Sequence, residues 1–137
     1  MIPTACSQVT HNRRLADIMK HKLKISHEDN VVIALLGDEY DNLDVPGLEA
    51  AGNVLLELAQ TAVPPQIVID MQHTEFFGSA FLGILFRTWQ RLSLRNGKMA
   101  CCNATDVCGE VLDVTQVGKL WAVCPSRDAA IRAVKGE

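Results

Sequence analysis

The stretch IVIDMQHTEFFGSAFLGILFRTWQRL, residues 67–92, joins three kinds of local structure without a break. Ile67-Val68-Ile69 is β-branched and wholly apolar, the mark of a strand buried on both faces, and it ends at Asp70. The loop that follows carries His73, Glu75, Phe76, Phe77 and Gly78. From Ser79 the spacing predicts the longest helix of the chain, running to Leu94, with Leu82, Leu85, Phe86, Trp89 and Leu92 on one face and Asn96-Gly97 as its stop. Ser79 stands either as the N-cap of that helix or in its first turn. Serine is a preferred cap, and this alone accounts for its presence.

The same alternation extends in both directions. Upstream, Leu23–Ser26 reads as an edge strand, His27-Glu28-Asp29-Asn30 as a turn and Val31–Leu36 as an interior strand ended by Gly37-Asp38. Asp44 is placed to cap a helix with Pro46 in its first turn, and Leu48, Ala51, Leu55 and Leu58 form its apolar stripe. Pro64-Pro65 closes that unit. Downstream come a strand at Met99–Cys102, a helix capped by Thr105 and stopped by Gly118, a strand at Leu120–Val123, and a helix at Arg127–Val134 capped by Ser126. The order is β-β-α-β-α-β-α-β-α. It predicts an α/β domain over residues 23–137 with a mixed, mostly parallel central sheet and about four helices. Residues 1–22 are expected to form a tail, partly mobile or helical over Arg13–Lys22, and no chemistry is assigned to them.

Composition narrows the function. The chain has 137 residues, 48% hydrophobic and 21% charged, with a formal net charge of −3. One domain of this length buries a core without staples. No basic stripe is present, so nucleic acid is not an expected partner. No apolar run is long enough for a membrane span, and the first residues lack the shape of a signal peptide, so a cytoplasmic location is expected. Cys6, Cys101, Cys102, Cys108 and Cys124 are odd in number and form no CxxC, and they read as free, mainly buried thiols.

Catalytic chemistry is not visible. There is no glycine-rich phosphate loop of either common kind. His11, His21 and His27 are scattered, and His73 beside Asp70 and Glu75 reads as a surface histidine. Gly78-Ser79-Ala80 is not a nucleophile elbow, because Phe81 and Leu82 occupy the space of the second glycine. No enzyme activity, cofactor or metal is expected.

IVIDM at 67–71 together with FFGSAFLGIL at 76–85 resembles the strand–loop–helix signature of STAS domains of the anti-sigma factor antagonist type. Asp70 matches the strand-end acid, Phe76 the loop aromatic, and Leu82-Gly83 the Leu-Gly of that signature. Ser79 falls on its phosphorylated Ser/Thr. Gly78 stands where the family has Asp, and Ala80-Phe81 where it has Ser-Gly. VVIALLGDEYD at 31–41 is similar to the family's strand ending in G-E-L-D, and residues 109–134 are similar to its closing helix, strand and helix.

The resemblance implies the STAS fold and a partner-switching role. The unphosphorylated domain would bind an anti-sigma factor with serine kinase activity. Phosphorylation at Ser79 would expel it, and a phosphatase would reset it. Phe77, Gly78, Ser79, Ala80 and Phe81 are the implied partner-binding residues. Phe81 and Phe77 would form an exposed docking pair if they point outward, and both would belong to the core if they point inward. The alternative is a STAS scaffold, assembly subunit or transport accessory in which Ser79 is only a cap, with homo-oligomers left open.

Overall fold

The computed structural model describes residues 23–37, 39–40 and 45–136. The expected tail over residues 1–22, the Asp44 cap, Asp38 and Cys6 lie outside the described residues. The first two strands, β1 (Lys24–Glu28) and β2 (Val31–Leu35), form an antiparallel hairpin. Its turn is only two residues long. Asp29 and Asn30 both take positive φ, 53° and 67°, as the tightest hairpins require of their central pair. His27 and Glu28, expected in the turn, therefore continue β1 and pair with Val32 and Val31.

Beyond β2 lie β3 (Glu39–Tyr40), α1 (Val45–Thr61), β4 (Gln66–Asp70), β5 (Phe76–Phe77) and α2 (Ser79–Leu94). The chain then runs through β6 (Lys98–Cys102), α3 (Asp106–Val114), a 3-10 turn (Val117–Lys119), β7 (Ala122–Cys124) and α4 (Arg127–Lys135). The main sheet has the order β1-β2-β4-β6-β7, and every pairing after the hairpin is parallel. This is the mixed, mostly parallel sheet the sequence predicts. The two-residue strands β3 and β5 pair in parallel as a separate small sheet, which the sequence reading lacks.

Period-2 alternation sends the strand side chains to two cores. Val32, Ala34, Ile67, Ile69, Met99 and Cys101 face the larger one with residues of α1, α2 and α3. Val31, Ile33, Val68, Ala100 and Cys102 face the smaller one, where α4 supplies Ala130, Ile131 and Val134. Each fully buried Leu, Ile or Phe contributes about 1.5–3 kcal/mol, and these two layers hold the fold. Helices α1 and α2 approach closely at Gly52, where an added Cβ would lie 3.2 Å from Ile84 Cδ1.

Three boundaries differ from expectation for local reasons. The α2 stop uses Asn96, not Gly97, as its left-handed residue, with φ 59°. Gly97 is needed instead because a side chain there would collide with the Pro65 carbonyl. Helix α3 ends at Val114, before Gly118, and the left-handed residue after it is Gln116. Trp121 precedes β7 and lies buried, with its indole N–H donating to Cys101 Sγ at 3.2 Å. Thr105 and Ser126 cap α3 and α4 as expected, accepting from Cys108 N and Ala129 N.

Candidate functional site

Ser79 is the first residue of α2, and its side chain is exposed. The N-cap is Gly78, with φ −97° and ψ −177°, and it offers no side-chain acceptor. Ser79 is thus the first-turn residue of the two placements expected. The first turn of α2 contains no acidic residue. An added negative charge there meets the positive end of the helix dipole rather than a resident carboxylate.

The loop leading to Ser79 is fastened at three points. At its start, Asp70 is fully buried yet holds a full set of donors. Its Oδ1 accepts from Gln72 N at 3.0 Å and from Asn103 Nδ2 at 3.2 Å. Its Oδ2 accepts from Gln72 Nε2 at 3.1 Å and from Arg127, through Nε at 2.9 Å and Nη2 at 2.8 Å. Arg127 also bonds Glu28 Oε2 at 2.7 Å through Nη1. These two carboxylates, Asp70 first, hold the Arg127 guanidinium above its ordinary pKa.

In the middle of the loop, Thr74 is fully buried. Its hydroxyl donates to Gly37 O at 2.8 Å, and its carbonyl accepts from Thr105 Oγ1 at 3.0 Å and Cys108 Sγ at 3.4 Å. At the end, β5 pairs with β3, and Gly78 N donates to Tyr40 O at 2.9 Å. The Tyr40 hydroxyl accepts from Gly37 N at 2.8 Å. The segment is therefore a built ledge, not a slack loop.

The aromatic residues are arranged differently from the outward option. Phe77 and Phe81 are buried, at 1% and 0% exposure. Phe81 stacks on Tyr40 with ring centroids 4.3 Å apart and an interplanar angle of 19°, and Phe77 lies 5.9 Å from it. With Ser79 at the first helical position, Phe81 falls in line with Ile84, Leu85, Thr88 and Leu92, and that line is the buried face of α2. The expected stripe of Leu82, Leu85, Phe86, Trp89 and Leu92 is thus partly rotated from the true one: Leu85 and Leu92 are buried, Leu82 and Trp89 are half-buried and Phe86 is exposed. An exposed Phe77–Phe81 docking pair is ruled out by this packing. The aromatic that does reach the surface beside the site is Phe76, 41% exposed.

Of the implied partner-binding residues, Ser79 and Ala80 are exposed and Gly78 is half-buried. Gly83 follows one turn later, and a Cβ added there meets nothing within 4 Å. The accessible start of α2 is therefore narrow and made of small residues. His73 and Glu75 are exposed beside it. Among the described residues, no group of three or more His, Cys, Asp or Glu is placed to hold a metal ion. Cys101, Cys102 and Cys108 are buried free thiols, and burial pushes Cys101 and Cys102 up to about 12. No helix among the described residues is long and apolar enough to cross a membrane.

Sequence reasoning missed Tyr40, Thr74, Asn103 and Arg127 as parts of this site. Arg127 reads in sequence as a helix-start residue beside Asp128. Nothing local shows that it reaches back to Asp70, 57 positions earlier.

A hairpin feeding a parallel sheet, with a fastened loop and an exposed serine where the helix after the central strand begins, defines a class. Residues 19–130 match the family model of the STAS domain, and the chain belongs to that family. Solved structures agree. A STAS-domain anti-sigma-factor antagonist from Planctomyces limnophilus is 28% identical, with a TM-score of 0.73 over 82% of this chain and 97% of that one. An anti-sigma factor antagonist from Mycobacterium paratuberculosis is 26% identical, with a TM-score of 0.69 over 83% and 93%. The antagonist SpoIIAA in its unphosphorylated form shares the fold at 20% identity, with a TM-score of 0.67 over 84% and 97%. No curated protein sequence matches the chain significantly.

Proposed function

We propose that this chain is an anti-sigma factor antagonist-like regulator that binds a protein partner through the start of α2 and is switched by phosphorylation of Ser79. The observation that carries the reading is the exposed Ser79 side chain at the first position of a 16-residue helix, on a loop held at both ends. The similarity to anti-sigma factor antagonists from Planctomyces limnophilus and Mycobacterium paratuberculosis supports it. In this reading the partner is an anti-sigma factor with serine kinase activity, a phosphatase resets the switch, and the protein acts in the cytoplasm on transcription as substrate and regulator, without catalysis of its own.

The physical logic is a charge added where the host tolerates it and the partner does not. A phosphate brings about −1.5 to −2 charges to a helix start whose dipole and amides favour anions. Within a docked interface the same charge costs on the order of 2–3 kcal/mol in desolvation and repulsion, which weakens binding about thirty- to a hundredfold. The small side chains of Ser79, Ala80 and Gly83 let a partner come close to the helix. Gly78, lacking the family's acid, leaves the phosphorylated state to rely on the phosphate alone for its negative charge at that point.

Mass spectrometry of the protein from its native cells, with and without stress, tests the modification. In binding assays with the co-purified partner, Ser79→Asp is expected to weaken binding at least tenfold, while Ser79→Ala binds like the unmodified chain. Equal binding by both variants, with no phosphate found on Ser79, refutes the proposal.

A further inference from the structure

A carboxylate cannot stay charged in a protein interior without partners, and Asp70 is fully buried at the end of the central strand. Its two oxygens divide the work. Oδ2 takes the forked contact from Arg127 Nε and Nη2, at 2.9 and 2.8 Å, with the Gln72 side-chain amide beside it. Oδ1 takes the Gln72 backbone N–H at 3.0 Å and Asn103 Nδ2 at 3.2 Å. One oxygen is neutralised from α4, and the other fixes the first turn of the loop that ends at Ser79. The guanidinium is itself held by Glu28 at 2.7 Å, at the end of the first hairpin strand.

We propose that Arg127 is a positioning residue for Ser79, acting through Asp70 to set the path of residues 71–78 from the opposite face of the sheet. The functional half of this inference rests on Ser79 being the switched residue; the structural half does not. Arg127 belongs to the helix that closes the smaller core, whereas Ser79 begins a helix of the larger one. The Asp70 carboxylate is where the two meet. The charge matters as well as the shape: without it, the buried Asp70 carboxylate has no counter-charge and must draw in water, which competes with Gln72 and Asn103 for its oxygens. Lysine would keep the charge but could not reproduce the planar fork to Asp70 together with the third contact to Glu28.

Amide hydrogen exchange on the isolated full chain decides the question without any kinase or partner. In Arg127→Met, exchange at Gln72 and through residues 73–78 is expected to rise at least tenfold, while β4 and the Ile131–Val134 turn of α4 change by less than about threefold. Arg127→Lys gives an intermediate rise and serves if the Met variant does not fold. The double variant Asp70→Asn/Arg127→Met is expected to restore slow exchange, because a neutral amide keeps an oxygen for Gln72 N and needs no counter-charge. Uniform acceleration across β4, α4 and the loop, an unchanged loop, or no rescue by the double variant overturns the inference. Since the readout is loop order in the free protein, it stands or falls apart from whether Ser79 carries a phosphate.

Discussion

Phe81 occupies a position where the family signature has glycine, and replacing it by that glycine measures what this chain has built around the change. The ring is fully buried and stacked on Tyr40 at 4.3 Å, with Phe77 at 5.9 Å. Truncating a buried Phe to Ala costs about 3–5 kcal/mol when the cavity cannot collapse. The cavity here is bordered by Tyr40, which is tied to Gly37 N, and by Phe77 in the β3–β5 pair, so collapse is restricted. Glycine rather than alanine in the first helical turn adds about 0.5–1 kcal/mol. The expected loss for Phe81→Gly is therefore about 3.5–6 kcal/mol. A domain of this length has roughly 7–20 kcal/mol to lose. Urea unfolding followed by the fluorescence of Trp89 and Trp121 reads this as a midpoint about 2–3 M lower at unchanged slope. Phe76→Ala, on the half-open ring next door, should lose less than about 1 kcal/mol. A loss below about 1.5 kcal/mol for Phe81→Gly would show that the ring packs loosely and that the site is not braced through Tyr40.

Gly97→Ala is expected to lower Tm by roughly 6–12 °C, about 2–3 kcal/mol, because the new methyl meets the Pro65 backbone and the hydrogen bond from Lys98 N to Pro65 O at 3.0 Å is disturbed; an unchanged Tm in a thermal scan would contradict the close approach. The buried thiols make stability fall in alkali. Cys101 and Cys102 ionise near 9.0 when unfolded but near 12 when folded, chiefly through burial, so the folded chain is favoured in full below about 9 and loses that advantage as pH rises towards 12. Urea midpoints measured from pH 7.5 to 10.5 should decline less steeply in Cys101→Ala/Cys102→Ala than in the unmodified chain, and equal slopes would refute the assignment.

Much of the architecture is visible in sequence because its signals are local. Ile67-Val68-Ile69, Thr105, Ser126 and the Ser79–Leu94 periodicity each rest on a few neighbouring residues, and each appears in the fold close to where it was expected. Direction around a helix was harder to read. Leu82, Phe86 and Trp89 are as apolar as Phe81, Ile84 and Leu85, so two overlapping stripes fit the helical spacing, and the packing of Phe81 on Tyr40 marks the inner one. The two-residue strands β3 and β5 are too short to show any period. Ser79 could be singled out as a residue type at a helix start. Its setting could not, because the partners that shape it, Gly37, Tyr40, Asn103 and Arg127, come from distant parts of the chain.

The order β1-β2-β4-β6-β7 puts β4, and so the helix that follows it, at the middle of the five-stranded sheet. Among the described residues, the margins of this five-stranded sheet are β1 and β7. Edge-to-edge association of copies along either margin of that sheet would therefore draw on a region separate from the start of α2. A chain joined to others along either margin would still present its serine, and an array built that way would display one exposed serine per subunit at regular intervals.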